Sequence, residues 1–96
     1  MAVERLEVPA TGDLPGLADL KAALVARLAA GEPAYLDARH VDEPSVALIQ
    51  LIEAAASAFA EKSLSFGLVE PSDALCAAYE TVGLFAQLMS RIAMDA

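Results

Sequence analysis

The chain has no tryptophan, one cysteine and one histidine. With Cys76 alone, no disulfide can close within it, which fits a reducing compartment. His40 and Cys76 cannot make up the clusters of Cys and His that hold zinc. Neither glycine-rich phosphate-loop pattern occurs. Basic residues are scarce: six Lys and Arg stand against fourteen Asp and Glu, for a formal net charge of −8. Nucleic acid, whose affinity rests on phosphate neutralisation by Lys and Arg, is repelled by such a field. An anionic membrane surface is disfavoured for the same reason. A basic protein surface is the electrostatically compatible partner. No run approaches the roughly 20 uncharged apolar residues that span a bilayer. Residues 1–9 carry Glu4 and Glu7 where a signal peptide has its apolar core. The expectation is a cytoplasmic protein without metal or cofactor, and without direct membrane insertion.

What is present is apolar. Of 96 residues, 57% are hydrophobic, enough for one core, so residues 1–96 are expected to form one domain. Much of that fraction is alanine, which suits close helix packing. Residues 3–8 alternate imperfectly, with Leu6 and Val8 on one face, and predict a short strand ended by Pro9. Gly12, Pro15 and Gly16 mark a turn. Leu17, Leu20, Leu24 and Leu28 recur at helical spacing, and Gly31 stands where a left-handed C-terminal residue is expected. The apolar run 34–38 reads as a buried strand. A polar loop follows, with Arg39, His40, Asp42 and Glu43 outward and Val41 pinning it to the core. Ser45 is placed to cap a second helix. Leu48, Ile49, Ile52 and Phe59 form the apolar face of that helix, and Gln50, Glu53, Ser57 and Glu61 its polar stripe. Leu64, Phe66 and Leu68 alternate as a third strand. Ser72 then caps a helix lined by Leu75, Tyr79 and Val82 that stops at Gly83. Phe85, Leu88, Met89 and Ile92 recur as a last amphipathic helix, expected to pack on its own core or on a second copy. Strands alternating with helices favour an α/β fold with a largely parallel sheet.

Catalytic groupings are sparse. A hydrolytic triad would have to use His40 with Ser45 and either Asp37 or Asp42. All four stand on one short stretch without the strand-to-helix elbow that exposes a nucleophilic serine. His40 reads more simply as a solvated loop residue, and Cys76 as a small hydrophobe among alanines. Its near neighbours include no cation that would activate a thiolate.

Two blocks then stand out, "YLDARHVDEPSVALIQLIEAA" and "LSFGLVEPSDALCAAYETVGL". In order and spacing they resemble the STAS family, whose founding members are bacterial anti-sigma factor antagonists. Val41, Ala47, Ile49, Gln50 and Leu51 match the first family block. Phe66, Leu68, Val69, Pro71, Ser72, Leu75, Gly83 and Leu84 match the second. The match spans about two thirds of the chain. The resemblance implies a STAS fold with a mostly parallel or mixed sheet of about four strands and about four helices. It also implies a non-enzymatic signalling role of partner-switch, chemotaxis or two-component type. The implied partner is an anti-sigma factor with a histidine-kinase-like ATPase fold, or another signalling protein. Some short members of the family are instead accessory subunits of phospholipid-transport ATP-binding-cassette complexes.

One departure stands in the motif. Aligned through Gln50, the family Asp falls on Ser45 and its phosphorylatable Ser or Thr falls on Val46, which has no hydroxyl. A shift of one residue would make Ser45 the acceptor; otherwise Ser45 is a helix cap. The implied binding surface comprises His40, Asp42, Glu43, Ser45, Gln50 and Glu53, facing Arg or Lys on the partner. A monomer or weak homodimer is expected.

Overall fold

The computed structural model describes residues 5–92. The elements run β1 (Leu6–Glu7), α1 (Leu14–Ala30), β2 (Ala34–Asp37), α2 (Val46–Glu61), β3 (Phe66–Val69), α3 (Asp73–Thr81) and α4 (Phe85–Arg91). The three strands form one parallel sheet in the order β1-β2-β3. Val3 and Glu4, expected in the first strand, lie outside the described residues. The sheet has three strands among the described residues, where the resemblance implied about four. Outside the named strands, a single parallel bridge joins Ile92 to Leu68 of β3.

The helices start and stop for identifiable reasons. Helix α1 begins earlier than its leucine spacing suggests. Asp13 caps it, its carboxylate accepting the Gly16 amide at 3.0 Å, and Pro15 sits in the first turn, where its missing N–H costs nothing. The residues that read as a turn are therefore the helix start. Ser45 and Ser72 cap α2 and α3, each accepting an amide three residues on at 3.1 Å. Helices α1, α2 and α3 end alike, with a left-handed residue at Gly31, Ser63 and Gly83. In each case the following amide bonds five residues back, to Arg27, Phe59 and Tyr79. Ser63 achieves with a side chain what the other two positions do with glycine.

Leu6, Leu36 and Leu68 share a register and hence a sheet face, together with Ala34, Ala38 and Val8 by alternation. All four helices bury their apolar residues against that face in one cluster. Leu17, Leu20 and Leu24 come from α1, Leu48, Ile49, Ile52 and Phe59 from α2, Leu75 and Tyr79 from α3, and Leu88 from α4. Val41 is buried in the same cluster and anchors its loop, as its apolar character suggests. Gly67, Leu68 and Val69 are all buried, so β3 reads as an apolar run more than as an alternation. Val82 is 41% exposed and does not line the core, because α3 has already ended at Thr81. In α4, Leu88 is fully buried while Phe85 and Met89 remain about half exposed. The last helix thus docks on its own domain through one edge of its apolar stripe.

Candidate functional site

In a parallel sheet every strand ends on the same side, so the loops into α1, α2 and α3 gather at one edge. That edge is the usual ligand-facing side of open α/β sheets. Here the three loops are bonded to one another. The Gly12 amide donates to the Glu43 carbonyl, and the Asp42 and Glu43 amides both donate to the Ala10 carbonyl, at 2.8–3.0 Å. The Ser72 amide donates to the Ala38 carbonyl at 3.0 Å, and its hydroxyl donates to the Val41 carbonyl at 2.6 Å. These backbone groups are thereby satisfied within the rim, while the side chains of His40, Asp42 and Glu43 are exposed.

Ser45 is a joint in this rim. Its hydroxyl accepts the Leu48 amide at 3.1 Å and donates to the Gly12 carbonyl at 3.3 Å. The β1–α1 loop passes so close that a Cβ on Gly12 would stand 2.2 Å from Ser45 Oγ. Neither hydrogen bond of Ser45 goes to His40. Asp37, the other candidate for a triad, is held by Arg39 through Nε at 3.1 Å and Nη2 at 2.9 Å. Partial burial pushes the Asp37 carboxyl upward, but the Arg39 hydrogen bonds and charge outweigh it and leave the group below its usual value. Arg39 also stands 3.9 Å from Glu70, whose backbone is left-handed at φ 49°.

Of the residues singled out from sequence, His40, Asp42, Glu43 and Gln50 are exposed, and Ser45 is half-buried beside them. Among the described residues, the Asp42 and Glu43 carboxylates enter none of the ion pairs. Glu53 differs. It lies on the flank of α2 that meets α3 and α4, where Arg91 grips it through two nitrogens at 2.9 and 3.2 Å. The Tyr79 hydroxyl donates to the same carboxylate at 3.0 Å. Burial pushes the Tyr79 phenol far above its usual value, and the Glu53 charge and hydrogen bond push the same way. Glu53 is therefore an internal joint between three helices. The spacing of α2 gives no hint of this, because Arg91 is 38 residues away. Cys76 is half-buried, and burial first, then Asp73, raises its thiol above the usual value.

Among the described residues, no group of three His, Cys, Asp or Glu side chains is placed to hold a metal ion. Among the same residues, no helix is long and apolar enough to cross a membrane. A cleft of about 340 Å³ beside β1, lined by residues such as Leu6, Pro9 and Asp19, includes none of His40, Asp42, Glu43, Ser45, Gln50 and Glu53. No family model, curated protein or solved structure matches the chain.

Proposed function

We propose that the chain is a non-enzymatic docking module of STAS type, whose carboxyl-edge rim binds a basic face of a signalling protein with a kinase-like or other ATPase fold. The observation that carries this is the rim itself. Three loops are locked together by hydrogen bonds, and the exposed carboxylates of Asp42 and Glu43 enter none of the ion pairs among the described residues. A prestiffened acidic surface loses little conformational entropy on binding and meets its complement in Arg or Lys. The ordered blocks around Ser45 and Ser72, which resemble the STAS family, supply the class of partner. His40, Asp42, Glu43, Ser45 and Gln50 remain in the proposed surface. Glu53 leaves it, because its carboxylate is held by Arg91 and Tyr79.

The state of Ser45 favours one setting within this class. Its hydroxyl is engaged on both sides, and the family acceptor position, aligned through Gln50, is held by Val46, which has no hydroxyl. Phosphorylation would require the β1–α1 loop to lift away. Constitutive docking, as in an accessory subunit of a phospholipid-transport ATP-binding-cassette complex, suits such a joint better than a reversible switch. The test is affinity capture from native lysate with the wild-type chain and with the double variant Asp42→Lys, Glu43→Lys, read by mass spectrometry of the partner and of Ser45. The expected result is one ATPase-fold partner retained by the wild type, lost by the variant, with Ser45 unmodified. The same partner captured equally by both would overturn the proposed face, and a phosphate on Ser45 would overturn the constitutive setting.

A further inference from the structure

We infer that α4 is a releasable strap: it leaves the domain as a unit while the other elements stay folded, and its departure bares the outer edge of β3 and frees the Glu53 carboxylate from Arg91.

The first ground is how little α4 brings to its own stability. It has seven residues, fewer than the roughly 12–15 that an isolated helix needs in water. Asp13, Ser45 and Ser72 each cap their helices with a side chain, whereas Leu84 at the start of α4 supplies no such cap. Phe85, Ala86, Gln87, Met89 and Ser90 are exposed, and within the helix only Leu88 is buried. In α2, by contrast, Leu48, Ile49, Ile52 and Phe59 are all buried. Sparse apolar burial places a segment at the low end of local stability.

The second ground is where the fastenings lie. Leu84 donates its amide to the Tyr79 carbonyl at 2.8 Å and is partly buried against the core, so it belongs with α3. Gly83 beside it is left-handed at φ 79°, and a Cβ there would meet nothing within 4 Å, so the chain can turn at this point. At the far end, Arg91 grips Glu53 at 2.9 and 3.2 Å, and Ile92 bridges to Leu68. The Arg91 and Glu53 side chains are 26% and 21% exposed, so water already reaches the pair and can replace each partner as the strap lifts.

The register shows what lifting uncovers. The Ser65 and Val69 carbonyls accept the Ala34 and Ala38 amides on the β2 side. By alternation, the backbone groups of Leu68 point the other way, towards Ile92. An apolar strand with such groups unpaired is a template for another strand, and the docked strap denies access to it. Glu53 lies on the same polar stripe of α2 as Gln50, and losing Arg91 returns its charge to that stripe.

Amide hydrogen exchange of the whole chain, followed by NMR under native conditions, tests the strap. The amides compared are Leu88, which donates to the Leu84 carbonyl at 3.0 Å, Leu68 at the edge of β3, and Ile52 in the middle of α2. In the wild type, Leu88 and Leu68 should share one opening, at least about tenfold more frequent than that of Ile52 and less dependent on urea. Ser45→Ala removes hydrogen bonds to Gly12 and Leu48 that persist when the strap is open. It should therefore speed Ile52 and leave Leu88 and Leu68 within about twofold. Arg91→Met and Glu53→Gln weaken the fastening from either side and should each speed Leu88 and Leu68 about fivefold. The wild-type comparison stands even where a variant fails to fold. One opening common to all three amides, or equal acceleration of all three by Ser45→Ala, would show that α4 leaves only when the whole domain unfolds. Early exchange of Leu88 with Leu68 following Ile52 would show a fraying helix that never uncovers β3. Leu88 and Leu68 unmoved by both fastening variants would show that Glu53 and Arg91 do not hold the strap. Any of these results overturns the proposal.

Discussion

Ser45 joins the start of a helix to a loop 33 residues earlier in the chain. Its hydroxyl replaces one free amide partner at the N-terminus of α2 and satisfies the Gly12 carbonyl at once. Ser45→Ala is expected to lower stability by about 1–2 kcal/mol, the cost of a lost N-cap with a half-buried carbonyl left unpaired. Gly12→Ala attacks the same contact from the other side, because the new methyl would meet Ser45 Oγ at 2.2 Å. The two costs should add only in part, since removing the Ser45 hydroxyl relieves the contact at 2.2 Å but leaves the Ser45 Cβ at 2.6 Å and its amide nitrogen at 2.9 Å. Urea unfolding of both single variants and the double variant measures this, and strict additivity would show that the two residues do not touch in solution. The Ser45 cap was legible in the sequence from a serine before an apolar helical repeat. The Gly12 contact was not, because nothing local links positions 12 and 45.

The junction of α2, α3 and α4 carries the second expectation. Glu53 accepts hydrogen bonds from Arg91 and Tyr79, and the Arg91 and Glu53 side chains are about a quarter and a fifth exposed, respectively. Bidentate geometry in a partly screened position should give a coupling of about 1 kcal/mol between Glu53 and Arg91. A double-mutant cycle with Glu53→Gln and Arg91→Met reads it directly, and a coupling near zero would mean that α4 is held by the apolar packing of Leu84, Leu88 and Ile92. Spacing in α2 placed Glu53 correctly on the polar side of its helix. It could not tell that another helix would cover that side, because the covering residue belongs to an element folded back from the end of the chain. Phe85 and Met89 show the converse: their spacing marks an apolar stripe, yet α4 docks through Leu88 and leaves them half exposed.

At the scale of the whole molecule, the carboxyl edge gathers acidic groups, and one of them, Asp37, makes stability depend on pH. Asp37 sits below its usual value once Arg39 is counted against burial. A carboxylate lowered in the folded state contributes fully above its unfolded value, and the contribution fades as pH falls through the folded one. Relative to Asp37→Asn, the wild type should therefore be more stable at neutral pH, with the advantage shrinking below about pH 4. Thermal melts of both proteins from neutral to acid pH check the sign. An advantage that grew on acidification would show that Arg39 does not hold Asp37 in solution.

Local chemistry determined most of the elements. Ser45 and Ser72 start helices because a side-chain oxygen can replace a missing carbonyl, and Gly31 and Gly83 stop them because glycine enters the left-handed region freely. The leucine repeats fixed which face of α1 and α2 turns inward, and the alternation of strand and helix implied a parallel sheet. Those are interactions between residues a few positions apart, so the chain order carries them. Only the tertiary structure decided that the three loops lock into one rim, that Glu53 is an internal joint, and that the chain after α4 meets the outer edge of β3. Each of these depends on which elements become neighbours, and that choice is made by burying one shared core, with no local signal at the residues concerned.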